Sequence, residues 1–96
     1  MEFHIIARFH AHEGLEDAVE AALRDQVPNT RQAAGCLGVG AFRSLKDPRL
    51  FFVHSQWVDE AAFEKYGELP NIEQFVERMQ ALIDHAFEAT RSHRIA

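Results

Sequence analysis

Hydrophobic residues recur along the chain with two different periods, and the changes of period predict the order of strands and helices. Over residues 3–11 they alternate, which is typical of a strand with one apolar face. From Leu15 to Leu23 they return every three or four positions, which predicts an amphipathic helix. Pro28 should kink or end this helix, because its ring removes a hydrogen bond. Residues 29–34 are then expected to form at most a second short helical piece, ending at Gly35.

The middle of the chain predicts a β-hairpin. Two apolar runs, 36–45 and 50–58, flank a four-residue loop over 46–49, where Asp47 and Pro48 supply turn chemistry. The second run is apolar on both faces at its start, which is typical of a strand covered from both sides. It leads to Trp57, the chain's only tryptophan.

The C-terminal third predicts two helices and a closing strand. Asp59 is expected to cap a helix of about two turns. Pro70 opens the next helix, with Asn71 as its cap, and the apolar stripe indicates that it runs to about His85. Alternation over residues 87–95 predicts a closing strand with charge on both faces. The order β-α-β-β-α(α)-β predicts an α+β, ferredoxin-like βαββαβ sandwich with sheet order 4-1-3-2 and its helices on one face.

The two faces of this sheet should both be covered. The helices are expected to cover one alternating set, which comprises Phe3, Ile5, Ala7, Phe9, Val53 and Trp57. A second apolar set is left on the other face, namely Ile6, Phe42, Leu50, Phe52 and Val58. Monomers rarely expose a contiguous apolar patch larger than a few hundred Å2. We therefore expect a homodimer that pairs through this sheet face.

The amino-acid composition indicates a globular protein and argues against membrane-spanning and nucleic-acid-binding proteins. The chain has 96 residues, 47% of them hydrophobic and 26% charged, which fits a single globular domain over residues 1–96. No apolar run reaches ~18 residues, so no membrane span is expected. The formal net charge of −5 and the scattered basic residues disfavour nucleic-acid binding. The single cysteine, Cys36, fits a reducing compartment, so a cytoplasmic location is expected and Cys36 is interpreted as a buried strand residue.

Six histidines raise the question of a metal site. His4 and His10 share a strand face but are separated by about 20 Å along the strand, which is too far for one ion. His54, on the neighbouring strand, can pair with only one of them. We therefore expect no metal site and interpret these histidines as part of the dimer interface.

Several short motifs, taken in order, resemble the antibiotic biosynthesis monooxygenase (ABM) domain family. They are Gly14 after the first strand, Gly35-Cys36-Leu37 before the hairpin, Arg43-Ser44 with Asp47-Pro48 at its turn, and Trp57-x-Asp59-x-x-Ala62-Phe63. The resemblance covers nearly the whole chain. It implies a dimeric α+β barrel and a cofactor-independent monooxygenase acting with O2 on a small aromatic substrate, such as a phenol, a hydroquinone or an anthrone-like compound. The family also includes haem-degrading relatives.

Two positions depart from the family pattern. Ser55 stands where many members have a glutamate two residues before the tryptophan, and Tyr66 stands where many have a histidine. An imidazole titrating near ~6.5 can act as a base around neutrality, whereas a tyrosine near ~10 mostly donates hydrogen bonds. The missing histidine also removes the natural axial ligand for haem, which makes haem degradation a less favoured activity.

The expected site is an apolar cavity between helices and sheet that takes a flat aromatic ligand. Tyr66 would hold the substrate oxygen, Trp57 would stack or donate, and Ser55 would assist. The expected substrate-binding wall comprises Phe3, Ile5, Phe9, Phe63 and Phe75. Two alternatives stay open: Trp57 and Tyr66 are simply core aromatics, or the protein is a non-catalytic, dimeric ligand-binding or stress-related module of the same fold.

Overall fold

A four-stranded antiparallel sheet is the central element of the computed structural model, which describes residues 2–96. The elements, in chain order, are β1 Phe3–His10, α1 Glu16–Arg31, β2 Cys36–Arg43, β3 Leu50–Trp57, α2 Glu60–Gly67, α3 Pro70–Gln80 and β4 Glu88–Ser92. The strands lie in the order β2-β3-β1-β4, which is the predicted order 4-1-3-2 read from the opposite edge. The predicted α+β ferredoxin-like fold is confirmed.

The register of β1 against β3 sorts the side chains onto two faces. Phe3 lies opposite Trp57 and Phe9 lies opposite Phe51, so the large apolar residues of both strands share one face. The helices pack on this face, and the core between the layers includes the buried residues Ala7, Phe9, Val19, Leu23, Phe51 and Met79. None of the helices in residues 2–96 has the length and hydropathy needed to cross a bilayer.

The opposite side of the sheet, which we call the open sheet face, carries the second apolar set predicted from the alternation. Ile6, Phe42 and Val58 are 46%, 59% and 47% exposed. Leu50 and Phe52 are half-buried. No helix covers these side chains within the described residues, so the chain itself leaves an apolar sheet surface in contact with solvent.

Pro28 was predicted to kink or end the first helix, and the prediction that the helix ends there is wrong. Helix α1 continues through Pro28 to Arg31, so residues 29–34 do not form a separate piece. Pro28 lies on the solvent side of the helix, as does Arg24, whose carbonyl loses its usual partner. Water can satisfy that carbonyl, which limits the cost of the missing hydrogen bond.

Gly35 turns the chain from α1 into β2. Its φ is +84°, which only glycine adopts readily, and an added Cβ would lie 2.5 Å from the Cβ of Ala62. The glycine therefore permits both the turn and the close approach of α2 to the start of β2.

The hairpin loop is longer than predicted. Strand β2 ends at Arg43, so the loop spans residues 44–49. The Ser44 hydroxyl accepts hydrogen bonds from the backbone N–H groups of Lys46 and Asp47 at 3.2 and 3.0 Å. This local turn competes with the strand ladder and ends pairing two residues early.

The ends of the C-terminal elements also differ in part from the predictions. The Asp59 cap is confirmed, because its Oδ1 accepts from the N–H of Ala62 at 2.9 Å. Helix α3 is preceded by Leu69 and has Pro70 in its first turn, so Asn71 is not the cap. The helix ends at Gln80, well before residue 85, because Ile83 forms an isolated β-bridge with Ala11. Strand β4 occupies only residues 88–92 of the predicted 87–95.

Candidate functional site

A cavity of about 340 Å3 lies between the helix-covered face of the sheet and the helices α1, α2 and α3. Its wall is mostly apolar and includes Ile5, Ala7, Phe9, Val53, Phe63 and Phe75. The polar side chains in the wall are Gln26, Thr30, Ser55 and Tyr66. No Asp, Glu, His, Lys or Arg lines it among the described residues, so the cavity is a nearly uncharged environment with few polar groups.

The Tyr66 hydroxyl is held by two polar residues from one turn of α1. It lies 2.5 Å from Thr30 Oγ1 and accepts a hydrogen bond from Gln26 Nε2 at 3.0 Å. The Thr30 hydroxyl itself donates to the backbone carbonyl of Gln26 at 3.2 Å, so Tyr66 is the donor in the short contact. The tyrosine proton is therefore committed to Thr30, while one lone pair on its oxygen is unused by these contacts.

Burial raises the pKa of the Tyr66 hydroxyl above its ordinary value of 10.0. Hydrogen bonds from Thr30 and Gln26 favour the ionised form, but their effect on this pKa is smaller than that of desolvation. Tyr66 is thus a neutral phenol at physiological pH. It can accept a further hydrogen bond through its unused lone pair, but it does not serve as a base.

Ser55 places a second hydroxyl in the cavity wall. Its oxygen accepts a hydrogen bond from the indole N–H of Trp57 at 2.9 Å, and the serine is only 5% exposed. Because the oxygen is the acceptor in that bond, the serine proton points elsewhere. Within residues 2–96 this proton has no hydrogen-bond acceptor, so it is available to a ligand.

Trp57 and Phe3 lie outside the wall of the cavity. Trp57 is fully buried, with its ring 5.6 Å from Phe63 and 4.9 Å from Tyr66 between centroids. Phe3 packs against Phe63 at 6.0 Å. The structure therefore does not place the indole where a ligand in the cavity would stack on it. Trp57 instead positions Ser55 through its indole N–H, from outside the cavity wall.

Six of the eight site residues expected from the sequence are brought together at the cavity. They are Ile5, Phe9, Ser55, Phe63, Tyr66 and Phe75. Sequence reasoning missed Gln26 and Thr30, which continue the apolar stripe of α1 with polar side chains. The spacing from Leu23 places both on the buried side of the helix. Gln26 was passed over because it is polar, and the expected break at Pro28 hid Thr30.

A second, more open groove of about 510 Å3 lies between α1 and β2. Three arginines line it. Arg24 and Arg43 both bind Glu20, at 3.2 and 3.0 Å, and Arg31 contacts the carbonyl of Val39 at 3.5 Å. The hydrogen bonds from Arg43 and Arg24 hold the pKa of Glu20 below its ordinary value of 4.5. These side chains have protein partners, so the less open, mostly apolar cavity between sheet and helices is the better candidate site.

Comparison with known proteins agrees with this architecture. The family model described as antibiotic biosynthesis monooxygenase matches residues 2–78. The structure is similar to that of PA3566 from Pseudomonas aeruginosa, with 29% identity, 99% of this chain and 95% of that chain covered, and a TM-score of 0.90. It is equally similar to SO0527 from Shewanella oneidensis, with 29% identity, 97% and 90% coverage, and a TM-score of 0.90.

More distant relatives share the fold alone. Rv0793 from Mycobacterium tuberculosis is 17% identical, with 100% of this chain and 97% of that chain covered and a TM-score of 0.91. Among curated proteins, none matches the chain. The match to the family model extends over most of the chain and includes β1, α1, the hairpin and α2. The chain belongs to the antibiotic biosynthesis monooxygenase family.

Proposed function

We propose that this protein is a cofactor-independent monooxygenase that binds a small, flat phenol, hydroquinone or anthrone-like compound in the cavity between sheet and helices and supports its reaction with O2. The observation that carries the proposal is the Ser55 hydroxyl, a buried donor without an acceptor in an apolar wall. A volume of about 340 Å3 is at the lower end of the range for small-molecule pockets, which suits a ligand of one to three rings.

The cavity would act by positioning and by electrostatics. The Ser55 hydroxyl donates to the ligand oxygen on which negative charge develops, and the fixed donor stabilises that charge without solvent reorganisation. Tyr66 accepts a hydrogen bond from a ligand hydroxyl through its unused lone pair and so fixes the orientation of the ring. The aromatic side chains Phe9, Phe63 and Phe75 exclude water and set the plane of the ligand.

In this chemistry the substrate has to ionise without a base from the cavity wall. No carboxylate or imidazole lines the cavity among the described residues, and Tyr66 stays protonated. The substrate therefore loses its proton to water or enters as an anion, and its electron-rich carbon reacts with O2. For an anthrone, one oxygen atom becomes the new carbonyl and the other leaves as water, so that the substrate itself supplies both electron pairs. This restricts the substrate class to compounds that ionise readily.

The proposal includes a homodimer that buries the open sheet face. This face carries Ile6, Phe42 and Val58 in contact with solvent, and Phe52 lies half-buried among them. A second copy of the same sheet is the occupant that covers an apolar patch of this kind symmetrically.

A non-catalytic ligand-binding module is the second candidate, and the lack of an ionisable base in the cavity favours it. Haem degradation has no comparable support, since no histidine lines the cavity in the described part of the chain. An oxygen electrode and equilibrium binding, used on the same panel of hydroquinones and anthrones, separate the two candidates. A monooxygenase accelerates O2 uptake above the buffer rate. Binding without O2 uptake identifies the non-catalytic module. If no compound of the panel binds, the proposed function is wrong.

A further inference from the structure

A cluster of histidine and carboxylate side chains lies at the end of the sheet where β1, the hairpin loop and the segment after α3 meet. The Nδ1 atoms of His10 and His85 contact different oxygens of the Asp84 carboxylate, at 2.6 and 2.5 Å. One potential ligand atom from each of these three residues lies within 4.8 Å of the other two. Two imidazole nitrogens and one carboxylate oxygen are a donor set that zinc and similar divalent transition ions take.

The second ring nitrogen of His10 supplies an independent argument. Its Nε2 lies 3.2 Å from Oδ2 of Asp47, so both ring nitrogens face carboxylates. An uncharged imidazole has one N–H and can donate to only one of them. If it donates to Asp47, Nδ1 presents a lone pair to Asp84 at a distance too short for two acceptors. A metal cation or a second proton at that point removes the conflict, and a carboxylate behind a metal-binding histidine is the common arrangement around such ions.

The backbone holds the three segments together before any ion binds. The N–H of Asp84 donates to the carbonyl of His10 at 3.0 Å, and the N–H of Ala11 donates to the carbonyl of Arg49 at 2.8 Å. Arg49 also contacts Asp84 Oδ2 at 3.3 Å, which orients the carboxylate. The two carboxylates of Asp47 and Asp84 outnumber the one guanidinium, so the fixed charges at this end of the sheet favour a cation.

We infer that His10, Asp84 and His85 form a binding site for a divalent transition ion of the Zn2+ class, with Asp47 orienting His10. Asp84 and His85 lie beyond residues 2–78, the part that matches the family model. The side chains of Asp84 and His85 are 26% and 54% exposed, so water completes the coordination. The ion fastens the segment between α3 and β4, which carries Phe87 of the cavity wall, to the end of β1. The site is independent of what the cavity binds.

The test is titration of the chelator-treated protein with Zn2+ alone, followed by calorimetry and by the melting temperature. The wild type should bind one Zn2+ per chain and melt at a higher temperature when loaded. His85→Ala should weaken binding at least tenfold, since it removes a half-exposed ligand with little effect on packing. His12→Ala, an exposed histidine outside the cluster, is the matched control and should bind as the wild type does.

Asp47→Asn gives a sharper test of the geometry. The asparagine Oδ1 can still accept from the N–H of Arg49, a bond of 3.0 Å in the wild type, so the loop keeps its turn. Its amide N–H2 would donate to His10 Nε2 and force the ring proton onto Nδ1, which blocks the ligand atom. We expect a 10- to 100-fold loss of Zn2+ affinity, the usual range for such outer partners. Absence of saturable binding to the wild type, or equal binding by wild type, His85→Ala and Asp47→Asn, would overturn the inference and leave a second proton on His10 as the explanation.

Discussion

The indole N–H of Trp57 donates a 2.9 Å hydrogen bond to the hydroxyl oxygen of Ser55, two residues earlier on the same face of β3. The bond orients the serine so that its own proton is turned away from the indole and is free for a ligand in the cavity. In this way a fully buried tryptophan outside the cavity wall sets the direction of a donor inside it.

Ser55→Ala should weaken the binding of a phenolic or anthrone-like ligand about tenfold, because it removes one hydrogen bond to the ligand oxygen, worth about 0.5–1.5 kcal/mol. Trp57→Phe is the matched variant: it removes the donor behind Ser55 but keeps the serine proton. It should lower the melting temperature, since it shrinks a buried side chain, and should change ligand affinity less than Ser55→Ala does. Calorimetric affinity and melting temperature on both variants check this. Equal ligand loss in the two would contradict the direct contact assigned to Ser55.

Tyr66→Phe should reduce both stability and ligand affinity. Removing the hydroxyl leaves Gln26 Nε2 and Thr30 Oγ1 with weaker partners, which costs about 1–3 kcal/mol of unfolding free energy. Ligand affinity should fall by a similar amount, because the acceptor for the ligand hydroxyl is lost. Thr30→Val is the control, since it disturbs the same network and leaves the tyrosine oxygen in place. A Tyr66→Phe protein that binds ligand as well as Thr30→Val would refute the anchoring role.

The raised pKa of Tyr66 also predicts a pH dependence of stability at alkaline pH. The hydroxyl resists ionisation in the folded state, so its contribution is complete below about pH 10. As pH rises from there through the folded-state pKa, the unfolded chain releases the proton more readily and stability is lost. The unfolding free energy of wild type should therefore fall more steeply above pH 10 than that of Tyr66→Phe. Urea titrations at pH 8 and pH 11 measure this. An equal decrease in unfolding free energy for wild type and Tyr66→Phe would contradict the prediction.

Phe52→Asp should dissociate the proposed dimer, because it places an unpaired charge within the open sheet face. Light scattering at micromolar concentration should give about twice 11.0 kDa for wild type and one chain mass for the variant. Leu45→Asp is the control, since Leu45 is fully exposed on the hairpin loop and should leave the dimer intact. A wild type that stays monomeric at these concentrations would remove the dimer from the account.

The fold could be predicted from the sequence because its signals are local. Alternation in β1, the apolar stripe of α1 and the cap at Asp59 each follow from neighbouring residues, and the sheet order follows from their succession. Helix α1 passes Pro28 because the solvent side tolerates the lost bond. The expected break at Pro28 hid Thr30, and the contact of Gln26 and Thr30 with Tyr66 depends on the packing of α2 against α1, which no local pattern shows.

The histidine cluster was missed for a different reason. His10 and Asp84 are 74 positions apart in the chain, and the early end of α3 brings the second of them to the sheet. The rise per residue of a strand correctly placed His4 and His10 too far apart to share an ion, and it left His54 able to pair with only one of them. It did not reveal what a distant loop would place beside His10.

The most direct test of the account is the pH dependence of O2 uptake for a series of hydroquinones and anthrones whose own pKa values differ. If the cavity supplies no base, the pH at which kcat/KM is half-maximal should follow the pKa of each free substrate and should stay the same in Ser55→Ala, which lowers only the height of the curve. A half-maximal pH that is identical for every substrate would show that a protein group takes the proton. That result, or the absence of enzyme-dependent uptake across the whole series, would contradict the proposed function.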